Sequence, residues 1–299
     1  MTRLLVVRLS ALGDVIHTIP AVAALREMHE VSWVVEAPYR ELVELVAGVE
    51  AIPTRMKKWG RSLLGSRGEM AATLRAMHRA EVAIDFQGLV KSAMLPWLAR
   101  VKTRRGFDSR AIREKPALLF TNRKVAVDTT KHVIEQNLQL AGVPAGKANW
   151  DAYPLDNNLA AFANRIVLLP GAGKANKVWP SERFREVARR IGGDALAVWG
   201  PGERDLAEAT GARVAPPTTL RELAFILREA RVVIGGDTGP LHLAAALGTK
   251  VIGLYGPTDP RRNGPYGQLD HCVDHFRTTK WMESISVEEV MTILQRITA

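Results

Sequence analysis

The chain has 299 residues, of which 47% are hydrophobic, 24% charged and 6% aromatic, a composition that excludes the disordered, fibrous and disulfide-rich classes and allows two domains. Its formal charge of +10 is uneven: residues 51–131 hold 18 Lys and Arg against 6 Asp and Glu, while the remainder is close to balanced, so an anionic partner is expected for one domain only. The single cysteine, Cys272, can form neither an internal disulfide nor a CxxC pair, which points to a reducing, cytoplasmic setting. The apolar run before Arg8 is too short for a signal peptide or a membrane span.

In chain order, short β-branched runs alternate with segments of helical period, the pattern of βα units around a parallel sheet. Strands are expected at Leu4–Val7, Val31–Val35 and Val82–Asp85, with helices at Ala21–Met28 and Arg61–Ala80. The second half repeats the scheme, with strands at Ile166–Leu169, Ala195–Trp199, Val232–Ile234 and Val251–Tyr255 and helices at Ser181–Ile191 and Leu220–Ala230. The polar, turn-rich stretch 150–163 between them reads as the connection, giving domains 1–155 and 156–299. Ser286 and Glu289 stand in capping-box spacing at the start of a last amphipathic helix, 286–298. The fold class is therefore α/β, two doubly wound sheets.

Ligands of such sheets bind beyond the carboxyl ends of the strands, so the segments after the strands are where chemistry is expected. The first, Arg8 to Pro20, carries Ser10, Gly13 and Asp14; the carboxylate can take a proton from a hydroxyl or simply cap a turn. The second, Leu169 to Pro180, carries Gly171, Gly173, Lys174 and Lys177, suited to a phosphate or to an ordinary glycine turn. It matches neither GxGxxG nor GxxxxGK[ST]. The third, Gly235 to Gly248, leads from Asp237 and Thr238 into a small-residue helix whose N–H groups would face an anion, with His242 one turn in. His242 either reaches that anion or is a buried histidine bonded to backbone. The fourth is the rigid Gly256-Pro-Thr-Asp-Pro260. His271, Cys272, Asp274 and His275 look like a metal cluster, but in a strand or a helix they do not all share a face, so no metal site is expected.

Taken together, these loops resemble the bacterial lipopolysaccharide heptosyltransferases, glycosyltransferase family 9, over nearly the whole chain. The resemblance is carried by Ser10-Ala-Leu-Gly-Asp-Val-Ile-His-Thr-Ile-Pro20, Asp85-Phe-Gln-Gly-Leu-Val-Lys-Ser92, Arg113-Glu-Lys-Pro, Asn122-Arg-Lys124, Lys177-Val-Trp-Pro180, Asp237-Thr-Gly-Pro-Leu-His242 and Tyr255-Gly-Pro-Thr-Asp-Pro260. It implies a GT-B architecture, with an acceptor-binding N-terminal and an ADP-sugar-binding C-terminal Rossmann-like domain facing across a cleft, and a last helix returning to the first domain. It also implies an inverting, metal-independent transfer of L-glycero-D-manno-heptose from ADP-heptose, a co-substrate rather than a cofactor, to the first Kdo of Kdo2-lipid A. A heptosylated core is the alternative acceptor.

On this resemblance Asp14 is the base and Lys177 stabilises the leaving diphosphate. Gly171, Gly173, Glu203, Asp237, Thr238, Gly239 and His242 complete the donor site. Ser10, Gly13, Arg55, Lys57, Arg61, Lys91, Arg113 and His132 are expected at the acceptor. The enzyme would sit peripherally at the cytoplasmic face of the inner membrane, the basic first half facing anionic lipid. Two readings compete. A nucleic-acid-binding protein lacks support from clustered aromatics or a known motif, and a nicotinamide oxidoreductase lacks its glycine fingerprint.

Overall fold

The computed structural model describes residues 1–62, 65–144 and 157–299. The chain divides into two compact units, residues 1–153 and 154–299. The first half of the expected connection, 150–156, lies outside the described residues, and the rest opens with the 3-10 turn Asn157–Phe162.

The first unit holds one parallel six-stranded sheet: β1 (Thr2–Val7), β2 (His29–Glu36), β3 (Val49–Thr54), β4 (Val82–Asp85), β5 (Thr103–Phe107) and β6 (Arg123–Val125), ordered β3-β2-β1-β4-β5-β6. The second repeats it with β7 (Ile166–Leu169), β8 (Ala195–Ala197), β9 (Arg213–Val214), β10 (Val232–Gly236), β11 (Val251–Tyr255) and β12 (Cys272–Asp274), ordered β12-β11-β10-β7-β8-β9. Numbered within its own unit, each sheet has the order 3-2-1-4-5-6 of the dinucleotide-binding fold, with its switch point between the first and fourth strands. The two pairs that flank those switch points, β1 with β4 and β7 with β10, run in register from Leu4 opposite Val82 and from Ile166 opposite Val232.

The strands expected from apolar runs are the inner ones, buried on both faces. Leu5, Val6 and Val7 in β1 and Val167 and Leu168 in β7 have no exposed surface. The edge strands β3, β6, β9 and β12, and β5 beside β6, were not expected, because half-exposed strands carry polar residues such as Thr103-Arg-Arg in β5. The helix expected over 61–80 is instead two, Met56–Arg61 and Arg67–Met77, parted near Ser62, Gly65 and Ser66, which favour turns. The strand expected to reach Trp199 stops at Ala197.

The last helix, Val287–Thr298, opens on the expected capping box of Ser286 and Glu289. Its Val287, Val290, Leu294 and Ile297 join the core of the second unit with Ile234, Ile252 and Trp179.

Candidate functional site

In the first unit the loops after β1 and β4 meet at the switch point. Asp14 lies in the short helix Leu12–Ile16, whose N-cap is Ala11, so the carboxylate is not a cap. Two guanidiniums hold it instead. Arg8 Nη2 stands 2.6 Å from Oδ1, and Arg113 Nη2 stands 3.4 Å from Oδ2. Arg8 is buried, its Nη1 donates to the Phe86 carbonyl, and burial pulls its pKa down against the pull of Asp14.

Behind Arg8 lies Asp85 at the end of β4. Its Oδ1 accepts from the Gln87 and Gly88 N–H groups at 2.9 and 3.3 Å, and its Oδ2 accepts from Ser92 Oγ at 3.0 Å. Burial pushes the Asp85 carboxyl up to about 6 in spite of these bonds. Gln87 Oε1 in turn accepts from the Leu9 N–H at 2.7 Å, which ties the two loops together. Arg8, Asp85, Gln87 and Ser92 were not singled out as site residues. The signal of the last three was present in the Asp85–Ser92 motif, and Arg8 opens the loop that carries Asp14, but only the pairing of β1 with β4 brings that motif under Asp14.

The other expected acceptor residues are spread more widely. Ser10 and Gly13 are half-buried beside Asp14. Lys91 is exposed in the first turn of helix Val90–Leu98. Arg55 pairs with Glu69 at 3.8 Å, and the two line a pocket between β3 and helix Arg67–Met77. Arg61 is exposed at the end of helix Met56–Arg61; Lys57 is on that helix, its side chain outside what the structure describes. His132 is buried, with Nδ1 accepting from the Ile134 N–H as the cap of helix Val133–Ala141 and its ring edge-on to His17 at 5.7 Å. Of the expected acceptor cations, Arg113 is brought to Asp14.

In the second unit the loops after β7 and β10 meet in the same way, and here most of the expected donor residues converge. Lys177 Nζ stands 2.5 Å from Asp237 Oδ2. His242 Nε2 and Asn263 Nδ2 each lie 2.9 Å from Asp237 Oδ1. Burial opposes the charge on Asp237, but the bonds and charge of His242 and Lys177 prevail and hold the carboxyl well below the usual range. Asp237 therefore orients the lysine and the histidine, and Asn263 is a member that sequence did not single out.

Glycines set the close approaches. A Cβ on Gly236 would stand 2.9 Å from the Lys177 carbonyl, so β10 presses its end against the lysine loop. A Cβ on Gly171 would meet the Glu203 carboxylate at 2.1 Å, and Glu203 Oε2 accepts from the Gly200 N–H at 3.0 Å. Glu203 thus lies across Gly171, while Gly173 faces open space. Thr238 caps helix Gly239–Ala246 without a side-chain bond, and the buried hydroxyls of Thr238, Thr258 and Tyr255 have no hydrogen-bond partner among the described residues. Helix N–H groups, a lysine and unpartnered hydroxyls at one strand edge suit a diphosphate.

The residues weighed as a metal cluster have other bonds. His275 bridges Ser284 Oγ at 2.6 Å and Glu289 Oε1 at 2.9 Å, His271 meets Gln268, and burial pushes the Cys272 thiol up to about 12. Among the described residues no three His, Cys, Asp or Glu stand close enough to hold an ion, and no helix is long and apolar enough to cross a membrane.

Comparison with known proteins agrees with both sheets. The chain is 32% identical over 291 residues, 89% of its length and 91% of the relative's, to lipopolysaccharide heptosyltransferase 1 of Escherichia coli (strain K12). It is 34% identical over 294 residues, 89% of its length and 82% of the relative's, to the protein of the same name from Pseudomonas aeruginosa. The solved structure of E. coli heptosyltransferase WaaC with ADP superposes with a TM-score of 0.84 at 28% identity, covering 99% of this chain and 100% of that one. The architecture is thus that of the GT-B heptosyltransferases. Residues 67–290 match glycosyltransferase family 9 (heptosyltransferase), and the chain belongs to that family of glycosyltransferases.

Proposed function

We infer that the chain transfers L-glycero-D-manno-heptose from ADP-heptose to the first Kdo of Kdo2-lipid A, with inversion and without a metal. The observation that carries the reading is the Lys177–Asp237–His242 network at the second switch point, facing a helix N-terminus. The relatives' names supply the sugar and the lipopolysaccharide core, and a second WaaC structure holds ADP-2-deoxy-2-fluoro heptose.

The chemistry follows from the two loop clusters. An inverting transfer needs the acceptor oxygen to attack the anomeric carbon as the bond to the diphosphate breaks, through an oxocarbenium-like state. Asp14 takes the hydroxyl proton at Oδ2. That oxygen is held by the exposed Arg113 at 3.4 Å, whereas Oδ1 stays fixed on buried Arg8. An acceptor carboxylate would draw Arg113 to itself and leave Oδ2 for the hydroxyl, so one arginine positions the base while the other recognises the sugar acid. Charge building on the leaving ADP is met by Lys177 and the N–H groups that open helix Gly239–Ala246. Glu203, which lies over Gly171, receives the ribose hydroxyls in this reading.

The test is ADP release from ADP-heptose with and without Kdo2-lipid A, in EDTA, for the wild type and Asp14→Ala. Acceptor-dependent release that survives chelation and drops at least ~100-fold in the variant is expected. Donor binding without turnover on this acceptor would move the assignment to a heptosylated core; an active Asp14→Ala would remove Asp14 as the base.

A further inference from the structure

Of the two buried acids among the described residues, Asp85 and Asp237, only Asp237 has a task in the chemistry above. Asp85 ends β4, and the Phe86 N–H still continues the ladder to the Val7 carbonyl at 3.0 Å. Beyond that point the Asp85 side chain takes over the backbone. Its Oδ1 gathers the Gln87 and Gly88 N–H groups into an Asx turn, and Gly88 completes the turn at φ 67°, where a side chain would be strained. Ser92 Oγ, from helix Val90–Leu98, fixes the other carboxylate oxygen. The turn aims the Phe86 carbonyl out of the ladder, and that carbonyl accepts from Arg8 Nη1.

The main chain at Arg8 is held on both sides. Its N–H donates to the Val34 carbonyl at 3.2 Å, its carbonyl accepts from Trp33 Nε1 at 3.1 Å, and the Leu9 N–H donates to Gln87 Oε1 at 2.7 Å. The side chain has fewer ties. Arg8 Nε has no hydrogen-bond partner among the described residues, and Nη2 stands 2.6 Å from Asp14 Oδ1. Besides Asp14 itself, the acceptor that holds the guanidinium is therefore the Phe86 carbonyl.

We propose that Asp85 is a positioning residue for Asp14: its turn aims the carbonyl that fixes Arg8, and Arg8 fixes the carboxylate. The role rests on the reading of Asp14 as the base. A base must lie within hydrogen-bond reach of the hydroxyl it deprotonates, and a displacement of about 1 Å can cost a hundredfold in rate. Closing β4 needs only a turn. A buried carboxylate is a costly way to make one, and what this turn adds is the carbonyl on Arg8.

The experiment measures acceptor-dependent ADP release by the full chain for wild type, Asp85→Ala, Asp85→Asn, Arg8→Met and Asp85→Ala/Arg8→Met. Rates are taken per ADP-binding site counted by calorimetry, so unfolded protein does not enter them. Asp85→Ala is expected to lower kcat at least ~10-fold, with the KM for the acceptor within about twofold. Asp85→Asn keeps an oxygen for Gln87 and Gly88 and offers its amide to Ser92 Oγ, so it should recover kcat to within about threefold of wild type. Because the effect passes through Arg8, the double variant should be no slower than Arg8→Met. An Asp85→Ala chain with wild-type kcat, an Asp85→Asn chain as slow as Asp85→Ala, or losses that add in the double variant would each overturn the proposal. Arginine side-chain NMR reads the same link without donor or acceptor. The hindered rotation of the Arg8 guanidinium should persist in Asp85→Asn and be lost in Asp85→Ala; its persistence in Asp85→Ala would overturn the link. The base reading falls by a separate measurement, an active Asp14→Ala.

Discussion

Arg8 and Asp14 form an ion pair of unequal partners: the guanidinium is 2% exposed and the carboxylate 2.6 Å away is 26% exposed. The arginine is thus the fixed half, held also by the Phe86 carbonyl, and the acid is the half that reaches solvent. Arg113 on the other oxygen is 43% exposed and looser.

The two arginines are expected to behave differently when replaced. Arg8→Met leaves Asp14 without its buried partner and should cost about 3 kcal/mol in urea unfolding, with a fall in kcat. Arg113→Ala removes a half-exposed pair and should change stability by less than about 1 kcal/mol, its effect appearing in the KM for the acceptor. Equal losses of stability would contradict the division of roles.

Asp85 gives a pH signature. Its carboxyl is raised to about 6 by burial, so the native state binds this proton more tightly than the unfolded chain does. Its contribution is therefore most favourable below the ordinary carboxylate range and is lost as pH rises from about 4 to about 6. Asp85→Asn keeps an oxygen for the Gln87 and Gly88 N–H groups and drops the charge. Relative to wild type, it should gain about 2 kcal/mol in going from pH 4.5 to 7.5. Urea titrations at the two pH values would show no such gain if the carboxyl titrates normally.

Asp237 has the opposite sign. His242 and Lys177 keep it ionised, so its stabilisation is complete above about pH 4 and erodes as the pH falls further. Asp237→Asn should remove that acid-side dependence and loosen Lys177, weakening ADP binding in calorimetry about tenfold or more. Unchanged affinity would mean that Lys177 needs no partner.

Gly171 and Gly173 are two residues apart and differ in what surrounds them. A methyl at Gly171 collides with the Glu203 carboxylate, whereas one at Gly173 meets nothing within 4 Å. Gly171→Ala should displace Glu203 and lower ADP affinity, with Gly173→Ala close to wild type. Calorimetry on the pair reads this directly, and equal affinities would detach Glu203 from the nucleotide.

His275→Ala breaks bonds to Ser284 and Glu289 and should cost about 1–2 kcal/mol while the transfer rate of the folded enzyme stays the same. A loss of bound metal in the variant, by elemental analysis, would restore the cluster reading.

The inner strands β1, β4, β7 and β11 were legible in the chain because parallel strands covered on both faces are continuous apolar runs, and Ser286 with Glu289 announced the last helix by local spacing alone. So were Asp14, Lys177, Asp237 and His242, since each follows such a strand among glycines or small residues. The edge strand β6 and its neighbour β5 were hidden, because a half-wet strand has no apolar run to show. The partners of the site residues were hidden for another reason. Arg8 reaches Phe86 across 78 positions, Arg113 reaches Asp14 across 99 and Lys177 reaches Asp237 across 60. Local sequence determines which residues can carry charge or turn a loop; only the strand order, which lays β1 on β4 and β7 on β10, decides which of those charges meet.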